Sequence, residues 1–97
     1  MTNATRVILI NEKDNVATAL IDLKAGTKVS AEVCGFVERL PLISNIPMGH
    51  KFALKDIGEG QAVIKYGEPI GKSTTKILRG EHVHIHNVVS RSQAGLK

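Results

Sequence analysis

The segment Gly80-Glu81-His82-Val83-His84-Ile85-His86-Asn87 places three of the chain's four histidines at alternate positions, with Val83 and Ile85 between them. Alternation with a period of two marks a β-strand, because successive side chains leave an extended backbone on opposite faces. The pattern predicts a strand over 82–86, with Val83 and Ile85 in a core. His82, His84 and His86 would then share the other face at steps of roughly 6.5–7 Å. Imidazoles titrate near neutral pH and ligate metals, so the pattern concentrates chemistry on one surface. His82 and His86 would stand about 13 Å apart on such a strand, too far to share one ion. An adjacent pair binds metal only if a carboxylate, water or partner residue completes the coordination. The plain alternative is three solvated imidazoles on an outer face.

Outward from that segment, one pattern recurs: Leu23-x-x-Gly26-x-x-Val29, Ile57-x-x-Gly60-x-x-Val63 and Ile77-x-x-Gly80-x-x-Val83. Each copy reads as a buried aliphatic anchor, a turn whose glycine takes positive φ, and a strand beginning at or before the valine. Unequal intervals exclude a solenoid and point to a compact all-β domain. Arg6 to Ile10 reads as a first strand. Asn15 to Leu23 reads as a short helix, since Val16, Ala19, Leu20 and Leu23 fit helical spacing. Lys28 to Cys34 and Phe36 to Leu40 read as strands broken at Gly35, and Pro41 to Gly49, with two prolines, as a loop. His50 to Leu54 and Ala62 to Tyr66 read as strands, with Gly67 to Gly71 connecting onward. Residues 1–90 form one domain in this reading, and 91–97 a flexible tail.

The 97 residues carry 42% hydrophobic side chains but only two Phe, one Tyr and no Trp, which predicts an aliphatic core. A chain of this size rarely encloses a whole active site, so catalysis would need a second chain. No apolar run has the length of a signal-peptide core or a membrane span, which predicts a cytoplasmic protein with no membrane partner. Cys34 has no partner for an internal disulfide and reads as a small buried hydrophobe. The formal charge of +4 suits an anionic metabolite or an acidic surface. Nucleic acid is disfavoured, because aromatics for base stacking are few and the basic residues are scattered. Lys51, Lys55, Lys65, Lys72, Lys76 and Arg79 remain for a carboxylate or sulfonate. No Cys pair, Gly-x-Ser-x-Gly elbow or His-Glu-x-x-His helix is present. Gly49-His50-Lys51 sits at a loop-to-strand junction, and Lys65-Tyr66-Gly67 joins polar groups to permissive backbone.

Four stretches in order, Asp14-Asn15-Val16-Ala17-Thr18-Ala19-Leu20, Gly49-His50-Lys51-Phe52-Ala53-Leu54-Lys55-Asp56-Ile57, Val63-Ile64-Lys65-Tyr66-Gly67-Glu68-Pro69-Ile70-Gly71 and His82-Val83-His84-Ile85-His86-Asn87, resemble the N-terminal domain of the altronate and galactarate dehydratases. The resemblance implies a SAF domain with the β-clip fold and short helical turns, similar to the C-terminal module of sialic acid synthase and to type III antifreeze proteins. It implies a small subunit of a metal-dependent lyase that removes water from a hexonic or hexaric acid. A divalent metal, iron or manganese, would be shared with a large subunit, and self-association stays open. A base abstracting a proton α to a carboxylate needs the enediolate stabilised, and an acid must help the β-hydroxyl leave. On the matched positions, His84 and His86 are the expected metal-facing or acid/base groups and His50 a second proton carrier. Lys51 is the expected carboxylate clamp, with Lys65, Tyr66 and Asn87 as further substrate-binding residues. The family also includes the alpha subunit of sulfolactate sulfo-lyase, which eliminates sulfite. The Asp14–Leu20 stretch looks more like the sugar-acid dehydratases and sets the order. A non-catalytic carbohydrate-acid binding module is the alternative from another class.

Overall fold

The repeated turn is the unit from which the fold is assembled. In the computed structural model, which describes residues 6–90, every copy closes the same four-residue turn. Thr27 N–H donates to Lys24 O, Gln61 to Gly58 O and Glu81 to Leu78 O, at 3.1, 3.0 and 2.9 Å. A fourth copy, Ile46-x-x-Gly49-x-x-Phe52, was hidden in the sequence because Phe replaces the final valine; there His50 N–H donates to Pro47 O at 3.0 Å. The turn glycines Gly26, Gly49, Gly60 and Gly80 have φ of 90, 85, 80 and 85°, which a β-carbon makes costly. The anchors meet in pairs, Leu23 bridging Ile46 and Ile57 bridging Ile77, each through two reciprocal N–H···O bonds.

Nine strands run between these turns among the described residues: β1 Val7–Ile8, β2 Val16–Ala19, β3 Lys28–Val33, β4 Phe36–Pro41, β5 Lys51–Ala53, β6 Ala62–Lys65, β7 Glu68–Ser73, β8 His82–Val83 and β9 Val88–Ser90. They form an antiparallel four-stranded sheet β1-β2-β5-β8, a β3–β4 hairpin and a three-stranded sheet β6-β7-β9. The four-stranded sheet feeds two cores. Ala17, Ala19, Phe52 and Leu54 pack into one with Leu42 and Ile46, while Val16, Ala53 and Val83 pack into the other with Ile57, Val63 and Ile77.

This double burial corrects the reading of Asn15 to Leu23 as a helix. Val16-Ala17-Thr18-Ala19 is β2, and with both faces covered it has no polar alternation, so its apolar spacing mimics a helix. Among the described residues there is no helix, and the short helical turns are absent. Gly67 to Gly71 lies largely in β7, where Pro69 opposes Ile64 at a register shift that tolerates its missing N–H. Cys34 is exposed rather than buried: with Gly35 it makes the two-residue β3–β4 turn, at φ of 50 and 82°.

The strand expected over 82–86 ends at Val83. Val83 is fully buried as anticipated, but Ile85 is 84% exposed at the tip of a turn. Asn87, 1% exposed, causes the change: its Oδ1 accepts from His84 N–H and its Nδ2 donates to His82 O, both at 2.9 Å. Those bonds satisfy the backbone locally, in place of a ladder that would have carried the strand onward. The tail expected over 91–97 lies outside the described residues. No helix among the described residues is long and apolar enough to cross a membrane.

Candidate functional site

β5 and β8 pair antiparallel with Lys51 opposite Val83 and Phe52 opposite His82. Continuing that register by one residue sets His50, the last residue of the fourth turn, against His84. The rings of His50 and His84 stack with centroids 3.8 Å apart at an interplanar angle of 13°. His82 completes the cluster, its Nε2 lying 2.8 Å from His50 Nδ1. At that distance one nitrogen donates and the other accepts, so the pair shares one proton between these two atoms. His86, exposed on the turn, approaches His82 with ring centroids 4.9 Å apart. The four imidazoles thus gather through a cross-strand pairing and a turn, not along one extended face.

The local field disfavours protonation. Burial, followed by His86, His50, His84 and Lys51, pushes His82 below the ordinary imidazole range. Burial, followed by His50, Lys51 and His86, does the same to His84. Lys51 is lowered by burial and then by the Lys65 cation. Neutral imidazoles are the form that binds metals and accepts protons.

A divalent ion fits this donor set. His50, His82 and His84 offer ring nitrogens that lie within 4.8 Å of one another. His84 Nδ1 is buried with no hydrogen-bond partner, an atom that a metal or a bound ligand would satisfy. The gathered set is therefore His50, His82 and His84, whereas the sequence pointed to His84 with His86. Once the chain turns at Ile85, His86 swings to the outside of His82.

Beside the cluster an open cleft of about 210 Å3 is lined by Lys51, Ile70, His84, Ile85, Val88 and Ser90. Lys65 and Tyr66 sit at the neighbouring β6–β7 turn, Lys65 Nζ 5.0 Å from the Tyr66 ring centroid. They do not line the cleft, and Lys65 acts on it through its field on Lys51. Asn87, expected to bind substrate, is buried and holds the histidine turn instead. Arg79 is committed elsewhere: it donates to Leu54 O and Arg39 O and pairs with Glu38 at 3.1 Å. Lys55, Lys72 and Lys76 are exposed surface. The Asp14–Leu20 stretch is architectural at its start. Buried Asp14 accepts from the backbone N–H of Asn11, Tyr66 and Gly67, and Asn15 from that of Ile64, fastening the β6–β7 hairpin to β2.

Sequence reasoning did not single out His82 as a ligand or Thr18 as part of the site. Thr18 stands opposite Lys51, and its buried hydroxyl has no hydrogen-bond partner. The fourth turn copy was the available signal for His82, since it marks β5 and β8 as equivalent strands entered through equivalent turns.

Residues 5–91 match the altronate/galactarate dehydratase SAF domain family. The chain is 49% identical over 80 residues to altronate dehydratase of Escherichia coli, covering 82% of this chain and 15% of that protein. It is 42% identical over 84 residues to galactarate dehydratase (L-threo-forming) of the same organism, covering 84% and 15%. It is 51% identical over 49 residues to the alpha subunit of (2R)-sulfolactate sulfo-lyase of Paracoccus pantotrophus, covering 50% of this chain and 73% of that subunit. The chain thus spans about 15% of the length of the dehydratases it matches. With an all-β architecture and a match that runs across all of the described residues, the chain belongs to the altronate/galactarate dehydratase SAF domain family.

Proposed function

We propose that this chain is the small subunit of a two-chain lyase that eliminates water from a hexonic or hexaric acid of the altronate or galactarate type. The observation that supports it is the cluster of His50, His82 and His84 beside a lysine-lined cleft open to solvent. Half of an active site looks like this: functional groups are gathered, and among the described residues nothing covers them. The Lys51 ammonium, reinforced by Lys65, holds the substrate carboxylate and favours charge developing at the α-carbon. Ile70, Ile85 and Val88 form the apolar wall that limits water once the cleft is covered. Exposed His86, next to His82, exchanges a proton with the departing hydroxyl or with solvent, and the proton between His50 Nδ1 and His82 Nε2 leaves when those imidazoles bind a metal. A divalent ion, iron or manganese, held by His50, His82 and His84, would supply Lewis-acid stabilisation of the enediolate oxygen.

The test is turnover of altronate, galactarate and sulfolactate by the chain alone and with a co-expressed large lyase subunit. Dehydration only in the assembled enzyme is expected. Full turnover by the isolated chain, or none by the assembly, would reject the reading. The second reading, sulfite elimination, is favoured by the 73% coverage of the sulfo-lyase alpha subunit. Release of sulfite from sulfolactate by the same assembly decides for it.

A further inference from the structure

A second feature lies across the sheet from the histidines. β1 is the edge of the four-stranded sheet opposite β8. Next to it, between Arg6 and the β3–β4 hairpin, runs an open groove of about 320 Å3. Its ionisable lining is Arg6, Lys28 and Arg39, with no acidic side chain among the lining residues. The register pairs Lys28 with Pro41 and Ser30 with Arg39, so these four side chains share the outer face of the hairpin. Val29 and Leu40 turn to the other face and are 3% exposed each, which roots the groove in the core. Arg6 is fixed as well, its Nη2 donating to Lys28 O at 2.8 Å. On the other strand, Arg79 grips Arg39 O at 2.7 Å. The hairpin base is pinned from both sides, so its cations are presented on a rigid surface.

We propose that this groove docks an extended acidic segment of a partner protein, with carboxylates at alternate positions. Lys28 and Arg39 are diagonal neighbours, about 7–8 Å apart. Carboxylates on alternate residues of an extended chain are spaced by roughly 6.5–7 Å, close to that interval. A free small anion is poorly served here. The three cations are exposed, and an exposed ion pair contributes little by itself. Several carboxylates on one chain overcome that weakness, because each bound pair raises the effective concentration of the next. No aromatic side chain lines the groove for stacking nucleic-acid bases. The docking is independent of the histidine cluster and of the reaction assigned to it.

The experiment is a titration of the isotope-labelled full chain, followed by amide NMR shifts, with an acetylated and amidated decapeptide of alternating Glu and Thr. Saturable shifts confined to Arg6, β3 and β4 are expected. The double variant Lys28→Gln/Arg39→Gln should bind about tenfold more weakly, the loss of two exposed pairs, whereas Lys72→Gln on β7 binds as the parent does. Citrate at equal carboxylate concentration should bind at least about tenfold more weakly than the peptide, as expected when binding needs several linked pairs. Four outcomes overturn the proposal: no saturation, shifts centred on Lys51 and Lys65, citrate matching the peptide, or an oligothymidylate binding more tightly than either.

Discussion

Replacing Asn87 by Ala removes the side chain that shapes the histidine turn, and the structure sets the size of the effect. Two hydrogen bonds of 2.9 Å are lost, one accepted from His84 N–H and one donated to His82 O. Water replaces each only in part at half-buried positions, so each deletion costs about 1 kcal/mol or slightly more. The cavity left by a side chain 1% exposed adds roughly another 1 kcal/mol. The sum is about 2–4 kcal/mol against a total stability of about 5–15, enough to lower Tm by roughly 10–25 °C in a domain of this size. Urea unfolding followed by circular dichroism should show a lower midpoint at unchanged slope, which separates lost stability from a change in compactness. The companion Asn87→Asp separates hydrogen bonding from packing. A neutral carboxyl can accept from His84 and donate to His82, while a carboxylate cannot donate. That variant should therefore regain stability relative to the parent as pH falls from 7 toward 5. An Asn87→Ala unfolding free energy within ~0.5 kcal/mol of the parent would refute the reasoning, because surface substitutions produce changes of that size.

Gly80→Ala and Gly49→Ala test the turn unit: both have φ of 85°, but a β-carbon at Gly80 meets Pro41 O at 2.5 Å and one at Gly49 meets nothing within 4 Å. Thermal melts should show a loss of about 1–2 kcal/mol for Gly49→Ala and a clearly larger one for Gly80→Ala; equal losses would contradict the packing. Because His82 and His84 are lowered below an unfolded value of about 6.5, the unfolded chain binds more protons between the folded and unfolded pKa values. Stability is thus complete above pH ~6.5 and falls as pH drops through that window, and the double variant His82→Gln/His84→Gln should flatten the profile measured by urea midpoints. In the two-chain lyase proposed above, His84→Ala and His86→Ala should each lower kcat by roughly a hundredfold or more with the fold intact, while Lys51→Ala raises KM; near-parental kinetics at saturating metal would make the histidines ordinary surface. Val83→Asp should leave the chain unfolded by circular dichroism, since Val83 is fully buried and an unpaired buried carboxylate costs several kcal/mol.

The all-β class and its repeated turns were legible in the sequence because their causes are local. A glycine at positive φ between two aliphatic anchors needs only its neighbours, and so the three copies around Gly26, Gly60 and Gly80 could be read directly. The burial of Val83 and the chemical character of His82, His84 and His86 were equally local. The strand β2 was not legible, because two cores erase the alternation on which periodicity depends. The course of the chain after Val83 was not legible either. Strict alternation through His86 argued for an extended strand, but one buried amide, Asn87, turned the backbone and exposed Ile85. The gathering of His50, His82 and His84 was further out of reach. His50 meets His84 through a register fixed by Lys51 against Val83 and by the fourth turn, contacts between residues more than thirty positions apart. The sequence by itself supplied the imidazoles, the ammonium groups and the turns. Only the tertiary structure decided which imidazoles meet, because cross-strand register depends on how two distant hydrophobic clusters pack.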